Sequence, residues 1–196
     1  AGRLLSQSRY MLIGAQPDLF AENVLAELRG VFTPDGACPF WESVSCKFFR
    51  LPFDQADRMS AASDGQFILD LAPRHPIYVE LLPERAREAI GRVHREGEAA
   101  FAMLGKEGFR PNGLVDIFDA GPTVAAHRDD IRTVRDSLRL RARAGEAAEA
   151  PSGLVAADSI EGFRACWSPV AVEDGQATLP AQTLETLRVG EGEVVA

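Results

Sequence analysis

Up to about residue 137 the chain alternates segments with helical apolar spacing and segments with strand-like alternation. Proline or glycine cuts most of them off, and this alternation limits the fold more than any other feature. Leu4, Leu5, Ser8, Met11, Leu12 and Ala15 follow the three-and-four spacing of an amphipathic helix, which should start almost at residue 2 and stop before Pro17. Residues 23–30 (NVLAELRG) alternate, with Val24, Ala26 and Leu28 on one side and Leu25, Glu27 and Arg29 on the other, so a strand is expected there. Residues 33–39 (TPDGACP) are turn chemistry, and Phe40, Trp41, Phe48, Phe49 and Phe53 after them are expected in the core. A second strand is expected at residues 66–72 (QFILDLA), closed by Pro73. Residues 84–93 and 98–107 read as two helices, with His94 between them. Residues 114–118 (LVDIF) read as a short strand and residues 120–123 (AGPT) as a turn. Strands separated by helices imply an α/β (α+β) fold with a mixed sheet.

Composition shifts over residues 138–153, where Arg-rich sequence gives way to GEAAEAPSG. The expected division is therefore a main domain at 1–140, a linker at 141–153 and a small β-barrel-like unit at 154–196, incomplete at its C-terminus. In that tail, residues 154–157, 163–167 and 177–179 read as strands. A proline-started helical turn, a glycine-rich turn and a last strand at 193–196 follow.

Lysine plus arginine number 21 against 29 acidic residues, a net charge of −8, which argues against a phosphate-tracking nucleic-acid binder and fits a protein of small metabolites. No apolar run approaches the ~18 residues of a membrane span, and Arg3, Gln7, Ser8 and Arg9 interrupt the opening segment, so neither membrane nor signal peptide is expected. Three widely spaced cysteines, Cys38, Cys46 and Cys166, form neither a disulfide framework nor a zinc pattern, and a reducing, cytoplasmic setting follows. Because the chain begins Ala-Gly-Arg, it is expected to be the later part of something longer.

Histidine titrates nearest neutrality and supplies the first chemical candidates. His75 precedes Pro76 in an extended segment, and His127 lies beside Arg128, Asp129 and Asp130 in a solvated stretch. His94 is expected at the end of a helix, where the dipole favours a cation, so a structural and a catalytic role are both open to it. Separations of 19 and 33 residues between the histidines, with no Cys-x-x-Cys, argue against a metal site. Gly-x-Ser-x-Gly is absent, and Cys38 beside Pro39 is the one thiol left as a minor nucleophile candidate. Asp116 and Asp119 flank Ile117 and Phe118 at a strand end, where they could meet a cationic substrate or cap a turn.

Gly2 stands directly before the first helix, whose free N–H groups suit phosphate. At this point residues 1–9 (AGRLLSQSR) resemble the end of the acyl-CoA pyrophosphate loop and the following helix of arginine N-succinyltransferases, relatives of the GCN5-type acyltransferases. Matches continue in order at Ala26-Glu27-Leu28-Arg29-Gly30, Pro39-Phe40-Trp41, Phe48-Phe49, His75-Pro76-Ile77-Tyr78, Ile90-Gly91-Arg92-Val93-His94, Glu107-Gly108-Phe109 and residues 116–123 (DIFDAGPT). The resemblance implies succinyl transfer from the co-substrate succinyl-CoA to the α-amino group of L-arginine, or of L-ornithine, in arginine catabolism, with no permanently bound cofactor. It assigns proton donation to His94 and places Gly2 and Arg3 at the coenzyme. Glu27, Asp116 and Asp119 are our candidates for holding the acceptor guanidinium. Of the signature Arg/Gln-x-x-Gly-x-Gly only Ala1 and Gly2 remain, so an N-terminal truncation and a homo- or hetero-oligomer are expected. The rival expectations are a non-catalytic or ornithine-preferring subunit of a two-chain enzyme and a binding or regulatory module.

Overall fold

The computed structural model describes residues 2–62 and 65–196, so Ala1 of the expected signature lies outside the described residues. Helix α1, Gly2–Ala15, opens the chain as its spacing predicts and buries Gln7, Tyr10, Met11, Ile13 and Ala15. Pro17 then starts a 3-10 turn, since it cannot extend an α-helix. Strand β1 is Asn23–Glu27. A π-helical turn at Trp41–Ser45 leads into α2, Cys46–Phe49, followed by α3, Phe53–Ala62, and α4, Gln66–Leu71. Next come α5, Glu84–Ala89, α6, Glu98–Glu107, β2, Arg110–Val115, and β3, Pro122–His127. Helix α7, Arg132–Arg135, precedes β4, Leu140–Ala144, β5, Ser152–Ala156, β6, Ala165–Pro169, β7, Ala171–Glu173, and β8, Gln176–Leu179. Helix α8, Ala181–Leu187, and strand β9, Val194–Val195, complete the chain.

Contacts divide these elements into two compact units, one of Ala1–Val24, Lys106–Gly108 and Ala126–Ala196, the other of Leu25–Gly105 and Phe109–Ala125. The class is α/β with several sheets, as expected, but several local expectations fail, among them the strand at 114–118, since β2 is Arg110–Val115, and the turn at 120–123, since β3 begins at Pro122. Residues 66–72 form helix α4 and not a strand, because the apolar run lacks period-two alternation: Phe67 and Ile68 are adjacent in sequence, yet both pack on the aromatic core while Leu69 is exposed. Helix α5 ends at Ala89 and not at residue 93, as Ile90 is extended and Gly91 takes a positive φ of 72°. Within the stretch expected as linker, Leu140–Ala144 is strand β4, parallel to β8 and antiparallel to β9.

In the first unit the sheets are open. One has the order β7-β8-β4-β9 and the other is the hairpin β5-β6, so no closed barrel is seen among the described residues. Ala142, Val155, Ala177, Leu179, Leu184, Leu187 and Val195 fill the core between these strands and α8. The Thr183 and Ser168 hydroxyls, 2.7 Å apart, tie α8 to β6.

Glu107, 5% exposed, organises the helical part of this unit. Its carboxylate accepts from Gln7 Nε2 (3.1 Å), Arg132 Nη2 (2.7 Å), Thr133 N (3.0 Å) and Thr133 Oγ1 (2.7 Å). Burial alone would raise the pKa, but these donors outweigh it and hold the carboxyl below its ordinary range. A lowered folded pKa gives stability that is present at neutral pH and lost as pH falls through that folded value. Glu107→Gln is therefore expected to cost about 3 kcal/mol at neutral pH, and the difference in stability from the parent should shrink at an acidic pH below the ordinary carboxylate range. Urea denaturation at both pH values checks this, and an unchanged difference would remove ionisation from the explanation.

Candidate active site

The second unit is built on an aromatic cluster. Trp41 stacks on Phe49 at 5.8 Å, and the Phe118 ring meets Trp41 at 5.4 Å, Phe49 at 5.3 Å, Phe53 at 6.4 Å and Phe67 at 6.3 Å. Each such pair contributes ~0.5–1.5 kcal/mol beyond area burial, so Phe118 is firmly seated. Its seating fixes the neighbouring carboxylates, because Asp116, Phe118 and Asp119 share one turn between β2 and β3. Asp116 Oδ1 accepts from Phe118 N (2.7 Å) and Asp119 N (3.0 Å), and Ala120 closes the turn with a positive φ of 59°. Ser45 Oγ donates to Ile117 O at 2.5 Å, a further tie to the same turn.

Asp119 is 7% exposed, and its two oxygens accept from Gly30 N and Gly121 N, each at 2.8 Å. Burial raises its pKa against the pull of these donors. Both oxygens are thus engaged in fastening the end of β1 to the start of β3, as a turn cap would be. The fastening brings two backbones together: a Cβ on Gly30 would overlap the Asp119 carbonyl oxygen, and one on Gly121 the Leu28 carbonyl oxygen.

Glu27, Arg29, Asp57 and Asp116 line a cleft of about 150 Å³ beside this fastening, with Leu28, Phe53, Phe118 and Asp119 completing it. The structure therefore gathers the three acidic candidates at one place. It adds Asp57, from α3, and Arg29, which sequence reading did not single out as site residues. Nothing in the local pattern marks Asp57, a polar residue on an exposed helix face. Arg29 could have been suspected only from its position next to Glu27 on the alternating segment.

His94 does not end a helix. Residues 90–94 are a loop strapped by main-chain bonds, with Gly91 N donating to Ala120 O (2.9 Å) and His94 N donating to Arg29 O (2.8 Å). The dipole role expected for His94 thus has no helix end to act on. Instead His94 caps the 3-10 turn Arg95–Gly97, its Nδ1 accepting from Glu96 N at 3.2 Å. A neutral imidazole that accepts at Nδ1 carries its proton on Nε2. The side chain is 20% exposed and meets the Phe32 ring edge-on at 6.2 Å. His94 can therefore present an Nε2–H donor from a position fixed by the same β1 end that lines the cleft.

The remaining candidates do not line this cleft. His75 is exposed in a loop, and His127 is exposed with Nδ1 accepting from Asp129 N at 3.3 Å. Cys38 is buried, its Sγ accepts from Trp41 N, and burial pushes the thiol up, which suits packing and not nucleophilic attack. Gly2 and Arg3 belong to the first unit. A Cβ on Gly2 would meet open space, no acidic residue occupies the first turn of α1, and Arg3 Nε donates along the helix to Gln7 Oε1 at 3.3 Å while its guanidinium lies 5.8 Å from the Trp167 ring centre. Among the described residues no cluster of three or more His, Cys, Asp or Glu could hold a metal ion, and no helix is long and apolar enough to cross a membrane.

Comparison with known proteins bears on what this arrangement serves. Residues 1–133 match the family described as the arginine N-succinyltransferase beta subunit, and residues 137–196 match its C-terminal domain. The arginine N-succinyltransferases of Enterobacter sp. and Citrobacter koseri are each 40% identical over 196 residues, 99% of this chain and 57% of theirs. The solved structure of arginine/ornithine succinyltransferase subunit AI from Pseudomonas aeruginosa superposes with a TM-score of 0.85 at 33% identity, covering 98% of this chain and 55% of that one. The fold is that of an arginine succinyltransferase chain. The chain belongs to the arginine N-succinyltransferase beta subunit family, and it spans a little over half the length of these relatives.

Proposed function

We propose that the whole protein transfers the succinyl group of succinyl-CoA to the α-amino group of L-arginine, giving N2-succinylarginine and CoA. The observation that carries this reading is the family match over residues 1–133, which contain His94 and the carboxylate cleft. In the reaction the neutral amine attacks the thioester carbonyl, a C–N bond forms, the C–S bond breaks, the amine loses a proton and the departing thiolate gains one. His94 gives that proton from Nε2 in its imidazolium form, whose Nδ1–H can face the Glu96 carboxylate 3.9 Å away, and the proton lost by the amine restores that form. Glu27 and Asp116, with Asp57 beside them, hold the acceptor guanidinium, for which planar carboxylate contacts are the natural partners. The Asp119 backbone N–H helps to hold the Asp116 carboxylate. Gly2 and Arg3, at the positive end of α1, serve the CoA pyrophosphate.

The subunit names of the family and of the Pseudomonas aeruginosa structure support an oligomer, and the name of the latter, an arginine/ornithine succinyltransferase, supports L-ornithine as a second acceptor. Three free cysteines fit the reducing cytoplasm. We propose likewise that the C-terminal β unit begins at β4, since that strand pairs with β8 and β9 and the C-terminal family match starts at residue 137.

The test is thiol release by the full-length protein with L-arginine, L-ornithine and L-lysine as acceptors. Arginine should be used best, and Glu27→Gln or Asp116→Asn should raise its KM about ten- to a hundredfold, the loss expected for one charge-assisted contact. Thiol release that does not depend on any of these amines would contradict the reading.

A further inference from the structure

The cleft contains one cation among its carboxylates, Arg29, whose charge acts on Asp119 but which no ion pair holds among the described residues. The Arg29 guanidinium carbon lies 4.1 Å from the centre of the Phe32 ring. Among the described residues Arg29 makes no ion pair, although Glu27, Asp57 and Asp116 line the same cleft. A guanidinium laid on an aromatic face keeps its N–H edge directed outward, where it suits a planar, two-oxygen partner. Phe32 is also the ring that meets His94, at 6.2 Å, so guanidinium carbon and imidazole centre cannot be farther apart than the sum of those two distances. The main chain joins them as well, through the bond from His94 N to Arg29 O. A carboxylate bound at Arg29 is therefore held on the same ring and main-chain frame as His94.

We propose that Arg29 is the binding site for a substrate carboxylate. This rests on the functional reading above, in which both substrates carry such a group: the α-carboxylate of the acceptor amino acid and the free end of the succinyl chain.

The experiment uses the full-length protein with Arg29→Met and Arg29→Lys. L-arginine is compared with agmatine, which lacks the α-carboxylate, and succinyl-CoA with butyryl-CoA, which lacks the terminal one. Arg29→Met should raise the KM of the carboxylate-bearing member of one pair about tenfold or more and leave its carboxylate-free counterpart within about threefold, with Arg29→Lys intermediate. The pair whose preference collapses identifies the carboxylate. Titration calorimetry with the same four ligands gives the same comparison without turnover. Absence of turnover with the parent protein would thus defeat the functional reading alone. Preferences unchanged in both pairs, or no binding of any of the four ligands, would overturn the assignment of Arg29.

Discussion

His94→Gln in the full-length protein is expected to lower kcat by ~10² to 10⁴, the usual cost of losing a positioned general acid. Melting temperature should hardly move, because the side-chain bond that His94 makes is to Glu96 N at an exposed turn, and glutamine offers an oxygen for it. The ties that place residue 94 are made by its backbone, from its N–H to Arg29 O and from Gly97 N to its carbonyl, and these survive the substitution. KM for succinyl-CoA should also stay close to the parent value, since the coenzyme contacts are assigned to α1. His75→Gln and His127→Gln are the controls, both at exposed positions, and should remain within severalfold of the parent. If His94→Gln keeps more than about a tenth of the parent kcat, proton donation belongs elsewhere.

The largest effect on stability is expected at Gly30 and Gly121. At each, an added methyl group would overlap a main-chain carbonyl oxygen, of Asp119 and Leu28 respectively, and backbone cannot swing aside as the end of a flexible side chain can. Movement that relieves the overlap also pulls Gly30 N and Gly121 N from the Asp119 carboxylate, leaving a buried charge with fewer donors. Alanine at either position should cost more than about 3 kcal/mol, or roughly 10 °C in Tm for a chain of this size. Gly105→Ala is the matched control. It lies in α6 with nothing within 4 Å of the added carbon, so it should be neutral or gain a few tenths to about 1 kcal/mol. Denaturation midpoints for the three variants decide the matter, and equal midpoints for Gly30→Ala and Gly105→Ala would count against the close approach.

Much of the fold could be read from residues alone wherever local pattern and tertiary packing agree. Helix α1 has the expected spacing and stop, α6 keeps its expected bounds, and the aromatic stretch around Trp41 and Phe49 lies in the core. Sequence reading failed where tertiary contacts decide. The apolar run at α4 is too short and too continuous to tell a helix from a buried strand until Phe67 and Ile68 pack on the aromatic core. Strand β3 opens with Pro122 in a segment that looks like a turn, and β4 hides its alternation in a stretch rich in arginine. The site shows the same division. Glu27, Asp116 and Asp119 were visible as carboxylates near strand ends, whereas the cleft that joins them to Asp57 and Arg29 exists only once Phe53 and Phe118 pack. His94 was visible as a residue, but its setting was not, because its loop is held by Arg29 and Ala120, dozens of positions away in either direction.

The strapping of residues 90–94 separates two jobs that many sites mix. Main-chain bonds carry the proton-bearing histidine, whereas side chains that those bonds do not use carry the cleft's charge pattern. On the proposed reading the cleft can be re-cut for a different acceptor, by exchanging Glu27 or Asp57 for shorter, longer or neutral side chains, while the histidine's mount stays as it is. Arg29 is the hinge of this modularity: its carbonyl belongs to the mount and its guanidinium to the exchangeable lining, so a designer can change the second without touching the first.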